Sequence, residues 1–145
     1  MIYLGTDHAG FELKEKLKTY LVELGYDVVD LGADEYDVED DFPDFIRPVA
    51  LRVATHIGSK GIILGGSGQG EAMDANRVKG IRATVYYGGS LDIIKLSREH
   101  NDANILSFGA RFVSEEEAKE ALKLWLETEF SSDERHVRRI AKMDA

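Results

Sequence analysis

Short apolar runs alternate with longer amphipathic segments along the whole chain, and this alternation predicts the secondary structure. The apolar runs have the length of buried strands, and the segments between them place apolar residues at helical spacing. In residues 11–24, for example, the apolar positions are 13, 17, 20, 21 and 24. The predicted strands are residues 2–5, 27–31, 61–64, 81–86 and 104–107. The predicted helices are residues 11–24, a helix from Pro43 through Val53, and residues 71–78, 90–99, 114–128 and about 132–143.

This alternation predicts an α/β fold with a parallel sheet and helices on both faces, because parallel strands need crossover connections. The chain has 145 residues and contains no linker, repeat or low-complexity segment, so residues 1–145 are expected to form a single domain. Ligands of such sheets bind beyond the carboxyl ends of the strands. Three polar clusters follow predicted strand ends and are expected at that edge: Thr6-Asp7-His8, residues 65–71 and Ser107 to Arg111.

The cluster after the third strand is rich in glycine. Residues Gly65 to Asn76 read GGSGQGEAMDAN, a glycine-rich turn between a strand and a helix. Converging backbone N–H groups and the helix dipole favour an anion at such a turn. The loop is not a Walker A motif, since Glu71 stands where that motif needs lysine, and a dinucleotide fingerprint would need a third glycine at the same position. The alternative is a tight structural turn without a ligand.

Composition and charge exclude several classes of protein. The chain has no cysteine, hence no disulfide framework and no thiolate site. No apolar run is long enough for a membrane span and no signal peptide is evident, so a soluble cytoplasmic protein is expected. The formal net charge of −9 disfavours nucleic-acid binding. The acidic run 30–44 is interpreted as a solvated loop, and the basic run 135–142 as a solvated helix end or an anion contact.

Several polar residues near the predicted edge are candidates for acid–base chemistry. Asp7 could cap a helix or take part in a reaction, and capping explains the adjacent His8 less easily. His100 follows the helix 90–99, where it could be a C-terminal cap, a surface residue or a catalytic group. His56 has no polar neighbours in the sequence and is interpreted as structural.

Three arginines are candidates for binding a phosphate. Arg111 follows the last predicted strand, while Arg135 and Arg139 are one turn apart on the final helix, with His136 beside them. The i, i+4 spacing places both guanidinium groups on one helix face, although solvated charge is the alternative. Together with the glycine loop and the acid–base candidates, these cations indicate proton transfer on a phosphorylated small molecule.

Segments along nearly the whole chain resemble the type B ribose-5-phosphate isomerases, a family that includes galactose-6-phosphate isomerase subunits. The matching segments are GTDHAGFELK (5–14), DDFPDF (40–45), GGSGQGE with AN and VKGIRA (65–83), SREHNDAN (97–104), GAR (109–111) and RHVRRI (135–140). The resemblance implies a three-layer, Rossmann-like domain with a five-stranded parallel sheet. It also implies a homodimer or a tetramer, with sites built across the subunit interface and the helix at about 132–143 reaching the partner.

The resemblance also implies roles for individual residues. His100 would assist ring opening with Asp7, and Glu71 would transfer the proton, as in the branch of the family that uses glutamate. The other branch uses a cysteine at the position of Gly65. Ser67 and the backbone N–H groups of an anion hole would bind the developing oxyanion. The residues of that hole are Gly66, Ser67, Gly68 and Gly70, and the residues implied for the phosphate and substrate are His8, Asn101, Arg111, Arg135, His136 and Arg139.

The function expected is an aldose–ketose isomerase of phosphorylated sugars, with ribose 5-phosphate and ribulose 5-phosphate as the main pair. No cofactor is expected, and the sequence shows no cluster of metal ligands. The helix N-terminus is expected to keep Glu71 ionised. Tyr86 to Ser90 form a turn two residues longer than in most relatives, which either alters the accepted sugar or is without consequence. The alternatives are a six-carbon or other sugar phosphate, a catalytically silent sugar-phosphate sensor and, by fold alone, a two-component receiver.

Overall fold

A computed structural model describes residues 1–145 and has five strands and six helices. The strands are β1 (Ile2–Thr6), β2 (Val28–Asp30), β3 (Lys60–Gly65), β4 (Ala83–Tyr86) and β5 (Ile105–Gly109). The helices are α1 (Phe11–Glu23), α2 (Pro43–Thr55), α3 (Gln69–Ala75), α4 (Asp92–Glu99), α5 (Glu115–Glu127) and α6 (Glu134–Asp144). A short 3-10 helix, His8–Gly10, precedes α1. None of the helices has both the length and the apolar character needed to cross a membrane.

All five strands are parallel and follow the order β2-β1-β3-β5-β4, which confirms the predicted sheet. Alternate residues of each strand face opposite sides. Ile62 and Leu64 of β3 pack in one core with Leu17 of α1 and Trp125 of α5. Ile63 faces the other core, which α2 and α3 cover. The protein therefore has the three layers expected of a Rossmann-like fold.

The predicted element boundaries are shifted by up to three residues, and hydrogen bonds explain the largest shifts. The helix predicted at 71–78 ends at Ala75, because the N–H of Val78 bonds the carbonyl of Ala75 in a tighter turn. The strand predicted from residue 81 begins at Ala83, since the N–H of Arg82 donates to the side chain of Asn104. The last strand continues to Gly109, so Ser107 lies inside it, where its hydroxyl donates to the carbonyl of Gly68.

The carboxyl ends of β1, β3 and β5 lie side by side at one edge of the sheet. The connection after β1 leads to β2 on one side, whereas β3 pairs with β1 and β5 on the other. Such a reversal of strand order opens a crevice above the strand ends. All three polar clusters that the sequence placed after strands reach this edge.

Candidate active site

A cleft opens at the carboxyl ends of β1, β3 and β5. It brings together seven of the residues selected from the sequence, from three separate loops, and adds two aromatic side chains that were not predicted. The lining residues are Asp7, His8, Ala9, Phe42, Gly66, Ser67, Gly70, Glu71, Arg111 and Phe112.

The glycine loop forms the floor of this cleft. Gly68 adopts a φ of 79° beside the backbone of Phe108 and Gly109, a conformation and a closeness that favour glycine. The backbone N–H groups of Gly66 and Ser67 bond no acceptor in the chain, and the Ser67 hydroxyl accepts from the N–H of Gln69 at 3.3 Å. The loop therefore presents free donors at the start of α3, where the helix dipole favours an anion.

Glu71 lies in the first turn of α3 and is only 5% exposed. Its carboxylate lies against Gly65: a Cβ at residue 65 would lie 1.6 Å from Glu71 Oε1. Burial raises the pKa of Glu71 above its usual value, and the nearby charge of Asp7 raises it further. Backbone N–H groups of Glu71 and Gly68 act in the opposite direction and are outweighed. Burial therefore opposes the stabilisation of the charged form by the helix N-terminus, and the expectation that this terminus keeps Glu71 ionised stays a prediction.

Asp7 and His8 occupy the turn after β1. Asp7 caps the 3-10 helix, since its Oδ1 accepts from the N–H of Ala9 at 3.0 Å. The proposed capping role is thus correct, and it leaves Oδ2 at 4.0 Å from His8 Nδ1. His8 Nδ1 lies 2.7 Å from Asp40 Oδ1. These contacts place two carboxylates around one imidazole.

Asp40 is the charged residue beside the cleft that sequence reasoning missed. Its side chain is 8% exposed, so the interpretation of residues 30–44 as a solvated loop was wrong at this position. The available signal was its place in the motif DDFPDF, which carried part of the resemblance. Asp7, His8 and Asp40 have ligand atoms within 4.8 Å of one another, a proximity that the sequence did not reveal. We interpret them as an ion-paired imidazole rather than as metal ligands, because His8 already bonds Asp40.

Arg111 completes the cleft from the turn after β5. Its backbone N–H donates to the carbonyl of Gly66 at 3.1 Å, and its guanidinium packs over the same glycine. The side chain is exposed and its charge has no carboxylate partner in the chain. An anion bound at the glycine loop would therefore meet a cation from the neighbouring strand.

The other predicted site residues form a second group elsewhere on the protein. His100 ends α4 and stacks on His136 of α6, with ring centroids 4.3 Å apart. His136 is buried, and burial, followed by electrostatic repulsion from His100, lowers its pKa. The side chains next to these two histidines in the sequence are exposed, namely those of Asn101, Arg135 and Arg139.

The sheet separates the two groups within one chain. His100 precedes β5, whose first residue Ile105 pairs with Gly61, whereas Glu71 follows the opposite end of β3 at Gly65. Four steps along β3 span about 13 Å at the usual rise of a strand. His100 and Glu71 of the same chain therefore lie at opposite edges of the sheet.

The family model described as Ribose/Galactose Isomerase matches residues 2–143. Ribose-5-phosphate isomerase B of Mycobacterium tuberculosis is 41% identical over 139 residues, which cover 96% of this chain and 85% of that protein. The Escherichia coli protein of the same name is 38% identical, covering 99% of this chain and 94% of its own.

A solved structure has the same fold. It is the crystal structure of ribose-5-phosphate isomerase B from Mycoplasma genitalium with bound ribulose-5-phosphate, and it matches with a TM-score of 0.93 and 36% identity. The match covers 98% of this chain and 92% of that one. The motifs, the five-stranded parallel sheet and these likenesses agree, and the chain belongs to the ribose/galactose isomerase family.

Proposed function

We propose that this protein is an aldose–ketose isomerase that interconverts ribose 5-phosphate and ribulose 5-phosphate. The observation that carries the proposal is the buried Glu71 carboxylate at the end of a glycine loop with free backbone donors. Proton transfer between adjacent carbons needs a base and a site for the negative oxygen that forms beside it. The relatives named ribose-5-phosphate isomerase B support the choice of sugar.

Glu71 is the proposed general base. In the open-chain aldose its carboxylate removes the proton from C2 and returns it to C1, while a hydroxyl proton moves from O2 to O1. A base whose pKa approaches the working pH is the most effective, and burial moves the pKa of Glu71 in that direction. Such a base contributes about 10²–10⁴-fold to the rate.

The glycine loop is the proposed anion hole for the enediolate intermediate. The N–H groups of Gly66 and Ser67 are unpaired, whereas that of Gly68 interacts with the Glu71 carboxylate and that of Gly70 lies in the first turn of α3. Deleting one comparable donor in other enzymes costs about 10²–10³-fold in turnover. The Ser67 hydroxyl is exposed to the cleft and is proposed as a further donor.

The phosphate is proposed to bind between His8 and Arg111 of one subunit and Arg135, His136 and Arg139 of a partner. His100 and Asn101 would come from the partner too, so that His100 and Asp7 open the sugar ring together.

The separation of His100 from Glu71 within the chain supports a site that two copies share. Exposed apolar side chains on α4, Ile93 and Leu96, give that helix a face for a second copy. We therefore propose a homodimer with α6 reaching the partner.

Subunit mixing tests this arrangement. Glu71→Gln and His100→Ala homodimers should each be nearly inactive. A mixture that is unfolded and refolded together should recover about a quarter of wild-type activity, because half of the dimers are mixed and each has one intact site. No recovery from correctly assembled mixed dimers would place both residues in one subunit's site and refute the shared site.

Deuterium exchange followed by NMR tests the function itself. The protein is incubated in D₂O with ribose 5-phosphate and with four- to six-carbon aldose phosphates. Ketose formation with deuterium incorporation would support the isomerase and identify the preferred chain length. Binding without exchange or ketose across the panel would instead favour the silent sensor. The single-domain organisation and the cytoplasmic location remain predictions.

A further inference from the structure

Asp40 lies in the loop between β2 and α2, and its side chain hydrogen-bonds His8, which lines the cleft. Its Oδ1 lies 2.7 Å from His8 Nδ1 and accepts from the backbone N–H of His8 at 3.2 Å. Its Oδ2 is buried and has no hydrogen-bond partner. Burying a carboxylate costs free energy unless a positive charge compensates it. The His8 ring, which Asp40 already hydrogen-bonds, can supply that charge when it is protonated. The two contacts also fix the ring relative to its own backbone.

The bond to Asp40 leaves His8 with one free ring nitrogen. With Nδ1 occupied, only Nε2 can donate to a ligand, and His8 lines the cleft beside Arg111. The hydrogen bond to Asp40 is the largest influence on the pKa of His8 and raises it, and the charge of Asp7 acts in the same direction. Burial and the charge of Arg111 lower that pKa but are outweighed. The remaining titratable neighbour is Tyr36, whose ring centroid lies 6.2 Å from that of His8.

We propose that Asp40 is a positioning residue that fixes the His8 ring and keeps it a cation, so that Nε2–H binds the substrate phosphate. Arg111 alone would otherwise carry the positive charge on this side of the cleft. The charge of Arg111 also disfavours a positive charge on His8, so a protonated His8 needs a carboxylate beside it. This inference rests on the proposed function, because the phosphate is that of the sugar. It assigns Asp40 no contact with substrate.

The test compares Asp40→Asn with Asp41→Asn. Asparagine is the same size and can still accept a hydrogen bond, so the first variant removes the charge with little change of shape. Asp41 is the adjacent, exposed carboxylate and serves as the matched control. The measurements are the NMR titration of the His8 ring, assigned with His8→Gln, the Kd of inorganic phosphate, and KM and kcat for ribose 5-phosphate from pH 6 to pH 8.

In Asp40→Asn we expect the His8 pKa to fall towards or below its ordinary 6.5. At pH 8, KM should rise about tenfold, the range of one hydrogen bond to a charged group, while kcat changes less. The ratio of variant to wild-type KM should shrink towards pH 6, where the ring regains its proton. The titration of the phosphate itself cancels in that ratio. Asp41→Asn should match wild type, and Asp40→Asn should add little in a His8→Gln background.

An unchanged His8 pKa, or an equal KM ratio at both pH values, would overturn the proposal. A wild-type His8 pKa at or below 6.5 would also overturn it, and that measurement needs no variant to fold. Failure of the proposed function would look different. The wild type would then not turn over ribose 5-phosphate, while the His8 titration and the phosphate Kd would still decide the role of Asp40.

Discussion

Replacing Gly65 with alanine should inactivate the protein by moving Glu71. Gly65 ends β3 and has no positive φ, so its backbone conformation does not exclude alanine. Its side-chain space is the obstacle, because an added Cβ would lie 1.6 Å from Glu71 Oε1 and 2.0 Å from its Cδ. Position 65 and the Glu71 carboxylate thus compete for one volume. This competition would explain the two branches that the resemblance implies, one with a cysteine at this position and one with a glutamate at the loop's end.

The size of the effect follows from these distances. Ordinary contact begins at 3.4 Å, so Glu71 Oε1 must move by about 1.8 Å to accommodate the methyl group. A misplacement of about 1 Å can cost 10²-fold in rate. The whole contribution of a general base is about 10²–10⁴-fold. We therefore expect kcat of Gly65→Ala to fall by about 10²–10⁴-fold.

The assay measures kcat and KM for ribose 5-phosphate alongside thermal unfolding. Gly61→Ala is the matched control, since it lies in the same strand and its Cβ would meet Val49 and Ile105 of the core instead of the site. Overpacking of this kind costs about 1–3 kcal/mol, so the control should lose stability but keep kcat. The double variant Gly65→Ala/Glu71→Ala should regain stability, as the clash is gone, and stay inactive.

Wild-type kcat in a folded Gly65→Ala protein would refute this reasoning. It would mean either that Glu71 works from another position or that it is not the base. An equal loss of kcat in Gly61→Ala would point to a general loss of structure instead of a displaced carboxylate.

Four further outcomes are expected. Glu71→Gln should bind a non-isomerisable pentitol phosphate nearly as wild type does by calorimetry but lose about 10²–10⁴-fold in turnover; wild-type turnover would remove Glu71 as the base. The pKa of Glu71 in the folded state lies above its ordinary 4.5, so the wild type loses stability as pH rises from 4.5 through the folded-state pKa. Glu71→Gln should therefore unfold at a higher temperature than wild type at pH 8. The difference between the two unfolding temperatures should disappear near pH 4. His100→Ala should impair turnover of ribose 5-phosphate more than that of a tetrose 4-phosphate, whose phosphorylated O4 cannot close a ring; equal losses would contradict the ring-opening role. Arg139→Ala should raise KM about tenfold or more, whereas the neighbouring exposed Arg138→Ala should not, and equal KM values for the two variants would exclude Arg139 from the phosphate site.

Much of the fold was readable from the sequence, because strands and helices leave local periodic patterns. The five strands and six helices all occur where the alternation predicted them. The predicted ends of these elements were less accurate where a side chain distant in sequence bonds the backbone, as Asn104 bonds the N–H of Arg82 just before β4. The 3-10 helix at His8–Gly10 was not predicted, since Asp7 was recognised only as a possible cap.

The candidate site was partly readable for the same reason. The glycine loop and Glu71 are neighbours in sequence, so their placement at the start of α3 follows from local spacing. His8 and Asp40 are 32 residues apart, and a run of acidic residues does not indicate which member is buried. The separation of His100 from Glu71 depends on which end of the sheet each helix meets.

The sequence by itself determined the order of elements, the parallel sheet and the residue types that reach its carboxyl edge. These features depend on side-chain periodicity and turn chemistry, which neighbouring residues specify. Only the tertiary structure decided that the carboxylate of Glu71 fills the space beside Gly65 and that Asp40 pairs with His8. Burial and charge at those atoms come from residues far apart in the chain. The physical reason is that the pKa of a group depends on its surroundings, which packing creates.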